Sequence, residues 1–465
     1  MVVRRLTHFL ALVVVACGAT PATTSTTEPA STTTPTTTQA AVPSTTAVTA
    51  TPAAYTVDDC DTPPVTFALL CDVYALIAAY HVDAPFEPAA LAAGAELGVD
   101  SYEPAAPEEG PDSFVCAVPH QAFERICDSV ADRLRAGAGD IEEVVEAGVE
   151  SMIAHSLDPF TYYLPPELTG AFSEDGIITA VGMLLEIVNP AGSHCAVAEG
   201  PCELRVVLAV AEGSAYEAGL RPGDVLEGID GTPTEGLTLV QAASMLDGPE
   251  GSEVAVTVAR PDGTEEEILV QRRPPVVPTL VAEWPADEVG YIRLPDFNPD
   301  IPEFLHGALE EWDDADALVL DLRDNPGGYV DVATLVASEF LPDGLVVRTE
   351  APNEVLEYPV QEGGLATTGP DLIVVVNGGS ASAAEILAAV LQERGRATVT
   401  GEATFGKDTV QIGFPLVNDG ELRVTVARWV TPEGSTVAGE GVVPDVIVEI
   451  PPDASPEEVV DLVLG

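Results

Sequence analysis

Apolar residues recur at helical spacing between residues 56 and 170. Val73, Leu76, Ile77 and Tyr80 make one stripe, and Val144, Val145, Val149 and Ile153 make another. This spacing predicts a small, mostly helical domain. It closes at DPFTYYLPPE (158–167), where three prolines stop any helix. From 171 to 275 the period shortens to two. Residues 203–210 and 252–272 read as strands, the second run folding back through a turn. Between them, 212–231 carries a helix start at Ser214, a stop at Gly219 and a Pro–Gly turn. From 276 to the end, the nearly continuous apolar runs at 317–322 and 372–377 read as strands buried on both faces. Each leads through a glycine turn into a helical run, at 330–340 and 383–392. That alternation predicts an α/β layer whose strand ends can build a site.

The first 55 residues show none of these periods. Arg4 and Arg5 precede an apolar run from Phe9 to Ala16, too short to span a bilayer and suited to a signal-peptide core. The run ends in VVAC (14–17), which resembles the lipobox of bacterial lipoproteins. The resemblance implies that residues 1–17 are a lipoprotein-type signal, with Cys17 lipidated as the mature N-terminus. The protein is then exported and held on the outer face of a bacterial cell membrane by its lipid alone, or secreted if Cys17 is not lipidated. Residues 18–55 are mostly Thr, Ala, Pro and Ser with Glu28 as the only charge, which predicts a disordered linker.

Charge narrows the partners. With 76 acidic against 18 basic residues the net charge is −58, which argues against nucleic acid or an anionic membrane surface. It fits a solvated acidic surface in salty surroundings. Besides Cys17 the cysteines are Cys60, Cys71, Cys116, Cys127, Cys195 and Cys202. An even number in an exported chain points to disulfides, and local pairing is the simplest of the open connectivities. The spacings are wide and no histidine cluster accompanies them, so no metal or other cofactor is expected.

Of the 18 basic residues 17 are arginines, and the one lysine is Lys407, in TFGKDTVQ (404–411). Lysine can lose its proton in a dry pocket and arginine cannot. GSASAAEI (379–386) begins where a buried strand gives way to a helix. A serine there, Ser380 or Ser382, has amides and a positive dipole end beside it, which suits a nucleophile as well as a simple cap. LDLRDNPGG (320–328) adds a glycine turn able to present a further N–H donor. A serine nucleophile needs a base. No histidine follows His306, which leaves Lys407 as the better candidate.

Together these stretches resemble the C-terminal processing peptidases, or tail-specific proteases, which use a serine–lysine dyad and carry an internal PDZ domain. Matching stretches are DPFTYYLPPE, GYIRLPDF (290–297), LVLDLRDNPGG, the serine and lysine runs, and ARWVTPEGSTVAGEGVVPDVIV (427–448). EGSAYEAGLRPGDVLEGIDG (212–231) resembles the PDZ signature.

The resemblance implies an α+β multidomain protein: a helical N-terminal domain (56–170), a PDZ domain (171–275) and an α/β, crotonase-related peptidase core (276–465). It implies Ser382 as nucleophile, Lys407 as general base and Gln411 as its orienting partner. The amide of Ala383 and one from Gly327 or Gly328 are expected to hold the oxyanion. A carboxylate loop at Val181, Gly182, Met183 and Leu184 is expected to take the unstructured C-terminus of a protein substrate. A lysine base active at neutral pH must titrate about three units below its usual ~10.4, roughly 4 kcal/mol towards the neutral amine. Two positions depart from the family. Ala384 replaces a serine, and Asp408 replaces the glycine after the lysine. A carboxylate beside the amine favours the charged form, so Asp408 supports an alternative, an inactive lipid-anchored PDZ scaffold. Acyl-CoA chemistry, known on the crotonase shape, is disfavoured in an exported protein.

Overall fold

The computed structural model describes residues 60–465 apart from 62, 105–113, 139, 167, 170–180, 191–193, 196, 211–212, 274–279, 287 and 313–314. The expected signal, Cys17, the linker and the start of the expected PDZ domain lie outside the described residues.

Four helices come first: α1 (Val65–Tyr80), α2 (Pro88–Ser101), α3 (Glu124–Arg135) and α4 (Ile141–Ser156). α1 buries Phe67, Leu70, Val73, Tyr74 and Ile77, a three-and-four spacing that makes one apolar face. Asp140 starts α4 by accepting the Glu142 N–H at 2.8 Å. Disulfides Cys60–Cys71 and Cys116–Cys127 staple this layer. A short strand follows, β1 (Tyr162–Leu164).

The middle of the chain builds β2 (Met183–Val188), β3 (Glu203–Ala209), α5 (Ser214–Ala218), β4 (Val225–Ile229), β5 (Thr232–Pro233), α6 (Leu239–Leu246), β6 (Glu253–Ala259) and β7 (Glu265–Gln271). Its antiparallel sheet runs β2-β3-β4-β6-β7 with β5 beside β4, so β2 is an edge strand. Val181, Leu185, Leu204, Val206, Ala242, Leu246 and Val256 fill its core. α5 stops where expected, at Gly219 with φ 103°.

The last third contains β8 (Val281–Ala286), β9 (Val289–Arg293), α7 (Ile301–Glu311), β10 (Ala317–Asp321), α8 (Val330–Phe340), β11 (Leu345–Ala351), β12 (Glu354–Pro359), β13 (Asp371–Val376), α9 (Ala383–Glu393), β14 (Ala397–Gly401), β15 (Thr409–Pro415), β16 (Glu421–Val430), β17 (Val446–Ile447) and α10 (Pro456–Leu464). One sheet runs β17-β14-β13-β10-β9-β8, parallel except for β8. Alternate residues of β10 and β13 serve opposite faces. Leu318, Leu320, Leu372 and Val374 pack under α7, α8 and α9, while Val319, Ile373 and Val375 meet Val459 and Val460 of α10. This double burial is why both strands read as unbroken apolar runs.

A second sheet runs β1-β16-β11-β12, with β15 also on β16. Here one strand pairing crosses the expected domain boundary. β1 lies within the helical stretch of the sequence yet pairs antiparallel with β16, Tyr163 opposite Leu422. Leu416, Leu422 and Val424 then complete the core of the helical layer.

Candidate active site

Parallel neighbours β10, β13 and β14 end at one edge, and each hands the chain to one of the motifs singled out above. The loops are tied to one another. Asn325, fully buried, donates from Nδ2 to Leu294 O at 2.8 Å and accepts the Gly327 N–H on Oδ1 at 2.9 Å. Its carbonyl accepts the Ala381 N–H at 2.9 Å. Asp324 and Asn377 bond reciprocally at 2.8 and 2.9 Å.

Ser380 and Ser382 have different fates. Ser380 is fully buried, and its hydroxyl donates to Leu322 O at 2.7 Å. That hydroxyl holds the turn. Ser382 is half-buried and precedes α9 with φ 53° and ψ −114°, a conformation costing a non-glycine residue about 1–3 kcal/mol. Its N–H is anchored on Glu385 Oε2 at 2.8 Å. Ala383 opens α9, so its N–H belongs to the helix-end donors that lack an intrahelical partner. Gly327 packs directly on this corner. A Cβ there would stand 2.8 Å from Ser382 Cβ and 3.1 Å from Ala383 N. Because the Gly327 N–H is spent on Asn325, the two expected donors are not equivalent. The Gly328 N–H has no protein partner among the described residues.

Glu385 joins the serine corner to the lysine loop. Its Oε2 accepts the N–H groups of Ser382 and Lys407, both at 2.8 Å. Its Oε1 accepts the Gly406 N–H at 2.7 Å and the Thr404 hydroxyl at 2.5 Å. The side chain is wholly buried, and burial pushes its carboxyl up to about 7 even against these bonds, which favour the carboxylate. Lys407 is pinned from the other side by the Trp429 indole, which donates to its carbonyl at 3.0 Å. Its Nζ lies 5.5 Å from the centre of the Phe160 ring. Gly406 has φ 92°, and a Cβ would meet Gly439 N at 2.9 Å, so only glycine fits before the lysine.

Asp408 turns away from this centre. Its Oδ2 accepts the Thr436 hydroxyl at 2.9 Å, and its charge supports that of Arg428. It takes the opposite face from its neighbour, as an extended segment allows, and does not adopt positive φ. The inactive-scaffold alternative loses its main support. Gln411 donates from Nε2 to Thr425 Oγ1 at 3.1 Å. Thr425 in turn donates to Asp158 Oδ1 at 2.8 Å, and the buried His81 reaches Asp158 Oδ2 at 2.7 Å.

Comparison with known proteins decides the family. The profile of peptidase family S41 matches residues 288–448, and a PDZ domain profile matches 205–260. The carboxyl-terminal-processing protease of Synechocystis is 35% identical over 66% of this chain and 72% of its own length. The carboxy-terminal-processing protease of Bartonella bacilliformis is 32% identical over 67% and 71% respectively. The chain belongs to peptidase family S41. It is a serine peptidase of the C-terminal processing type. Among solved structures, the photosystem II D1 C-terminal processing protease matches with a TM-score of 0.59 and 26% identity, over 78% of this chain and 94% of that one.

In this S41 peptidase the PDZ domain touches both other parts. Gln241 of α6 donates to Glu150 of α4 at 2.9 Å, and Val240 and Ala243 pack on Leu164 and Leu168. Of the expected carboxylate loop, Val181 and Met183 are buried, Gly182 has φ 78°, and Leu184 opens the alternation of β2. The carbonyls of Val181 and Gly182 accept the N–H groups of Ala215 and Val210 inside the domain. Disulfide Cys195–Cys202 closes the insert after β2. Cys195 N–H donates to Ile187 O at 2.8 Å, and His194 bridges Val188, so the insert pairs with the outer edge of β2 at its far end.

Sequence reasoning left histidine out of the α/β region, yet the PDZ domain brings one to its wall. The His194 ring lies 5.3 Å from that of Phe160 and 5.0 Å from that of Phe405. A cavity of about 300 Å³ opens beside it, lined by Glu186, His194, Arg205, Gly378 and Phe405 among others. Glu385 was also missed as a site residue. Its signal was present, a glutamate three residues after a serine, which is the spacing of a capping box. Among the described residues no acidic, histidine or cysteine group is arranged to hold a metal, and no helix is long and apolar enough to cross a membrane.

Proposed function

We propose that this S41 peptidase is an exported endopeptidase that cuts proteins selected by their C-terminal tails, using Ser382 and Lys407 through an acyl-enzyme. The observation that carries the reading is the Glu385 bridge, which pins the backbone of both residues to one carboxylate. Ser382 Oγ attacks the scissile carbonyl carbon, and its proton passes to the neutral amine of Lys407. The N–H groups of Ala383 and Gly328 hold the oxyanion. Lys407 returns the proton to the leaving amine. It then takes one from the water that attacks the ester and returns it to Ser382 Oγ as the acid product leaves, restoring the hydroxyl and the neutral amine. Gln411 orients the amine. The PDZ domain adds the substrate tail to the outer edge of β2, with the terminal carboxylate at Val181–Leu184. Lipidation of Cys17 holds the enzyme on the outer face of the cell membrane.

The test is cleavage of an unstructured peptide with an apolar C-terminus by wild type, Ser382→Ala and Lys407→Arg. We expect cleavage by wild type and none above background by either variant, because arginine cannot give up its proton. A wild type inert from pH 6 to 10 overturns the peptidase reading. Full activity in Lys407→Arg overturns the general-base role alone.

A further inference from the structure

We propose that Asp158 and Thr425, with His81 behind them, act as positioning residues that set which end of the Gln411 carboxamide is offered to Lys407. The proposal rests on the reading above that Gln411 orients the lysine.

Asp158 receives four hydrogen bonds. The Thr425 hydroxyl (2.8 Å) and the Phe160 N–H (2.9 Å) reach Oδ1. The Thr161 hydroxyl and His81 Nε2, each at 2.7 Å, reach Oδ2. His81 is the Nε2–H tautomer, because its Nδ1 accepts the Asp83 N–H at 3.0 Å. A carboxylate in this position only accepts. Burial alone would raise its pKa, but the bonds from His81, Thr161 and Thr425 outweigh that and hold it below the ordinary range.

Thr425 has a single hydroxyl proton, and Asp158 takes it. The Thr425 oxygen is then left as an acceptor, and it accepts from Gln411 Nε2 at 3.1 Å. A carboxamide has one donor end and one acceptor end. With the donor end committed, Oε1 is the end offered to the lysine. An amine keeps N–H groups in both protonation states. An acceptor can therefore hold Lys407 throughout the cycle while the lone pair points at Ser382. The opposite amide orientation would set an NH₂ group against an amine and compete for that lone pair.

The relay cannot swivel. Thr425 is fully buried, its N–H donates to Thr161 Oγ1 at 3.1 Å, and its carbonyl accepts the Val82 N–H at 2.8 Å. His81 ends α1, residues 158–161 follow α4, and Thr425 lies on β16. The polarity of a group in the catalytic layer is thus set from the helical layer.

Cleavage kinetics on the full chain test this. We expect Thr425→Val to lower kcat by about 10- to 100-fold with KM within about twofold, as for a displaced catalytic group. Thr425→Ser, which keeps the hydroxyl, should restore most of the loss. Gln411→Ala should lose a similar factor, and adding Thr425→Val to it should cost nothing more, since both remove one interaction. If Gln411→Ala keeps full kcat, the orienting role of Gln411 falls. If Gln411→Ala is impaired but Thr425→Val is silent, or its loss multiplies that of Gln411→Ala, the relay falls. If circular dichroism shows Thr425→Val unfolded, Asp158→Asn takes its place. Its amide can donate to Thr425 and reverse the chain, and the same absence of further loss in the Gln411→Ala background is required.

Discussion

Protonating Glu385 removes one of the acceptor sites on which its four donors converge, and two of those donors are the backbone N–H groups of Ser382 and Lys407. Its carboxyl, pushed up to about 7 by burial, loses that proton as pH rises through neutrality. We therefore expect kcat/KM to climb through about 7 and Glu385→Gln to depress it at every pH. The carboxamide of that variant would face at least one N–H with its own NH₂, leaving a buried donor unpaired at a cost of about 1–3 kcal/mol. A pH–rate profile of both proteins checks this, and an unchanged profile in the variant rejects the role. Stability runs the other way at this residue. The folded pKa lies above the ordinary 4.5, so its contribution is full below about 4.5 and is lost as pH rises through about 7.

At the scale of elements, the insert would limit how far a tail bound as proposed above can pair. Along β2, odd-numbered residues turn their N–H and C=O to the outer edge, and the Ile187 carbonyl is already taken by Cys195. An added tail can pair only as far as Glu186, about four of its residues. Methylating a backbone nitrogen within the last three residues of a bound tail should abolish binding. Methylation at the fifth or sixth residue from the end should leave affinity within about twofold. Titration with a methyl-scanned peptide series reads this directly, and equal sensitivity along the whole tail rules the limit out.

Elements were the most legible part of the sequence. α8 spans the residues its period predicts, and β10 and β13 declare their double burial as apolar runs. β1 was not legible, because three residues between prolines carry no period and pair with a strand some 260 positions away. Ser382, Lys407 and the glycine turn stood out because their chemistry is compressed into short motifs. His81, Asp158 and Thr425 did not. Their meaning lies in two contacts that span 77 and 267 positions and meet at Asp158, and no local pattern announces them. His194 was hidden for the same reason.

For the whole molecule the dominant quantity is −58 of net charge on 465 residues. Repulsion among exposed carboxylates opposes compaction, and salt shortens its reach from about 10 Å at 0.1 M to about 3 Å at 1 M. We expect the melting temperature to rise by about 5 °C or more between 0.05 and 1 M sodium chloride. Calorimetry across that range checks it, and a flat or falling curve shows that the repulsion is already balanced.

The core shared between the opening helices and the hairpin of β15 and β16 has a consequence for how the enzyme comes into being. Leu416, Leu422 and Val424 follow the last of those helices by some 260 positions, and the helical layer has no finished interior until they are made. Ser382, Lys407 and Thr425 emerge in the same late stretch. The opening helices of a growing chain therefore stay unfinished until the stretch that carries Ser382, Lys407 and Thr425 is made, whereas the PDZ domain, whose core ends at Val270, can close earlier.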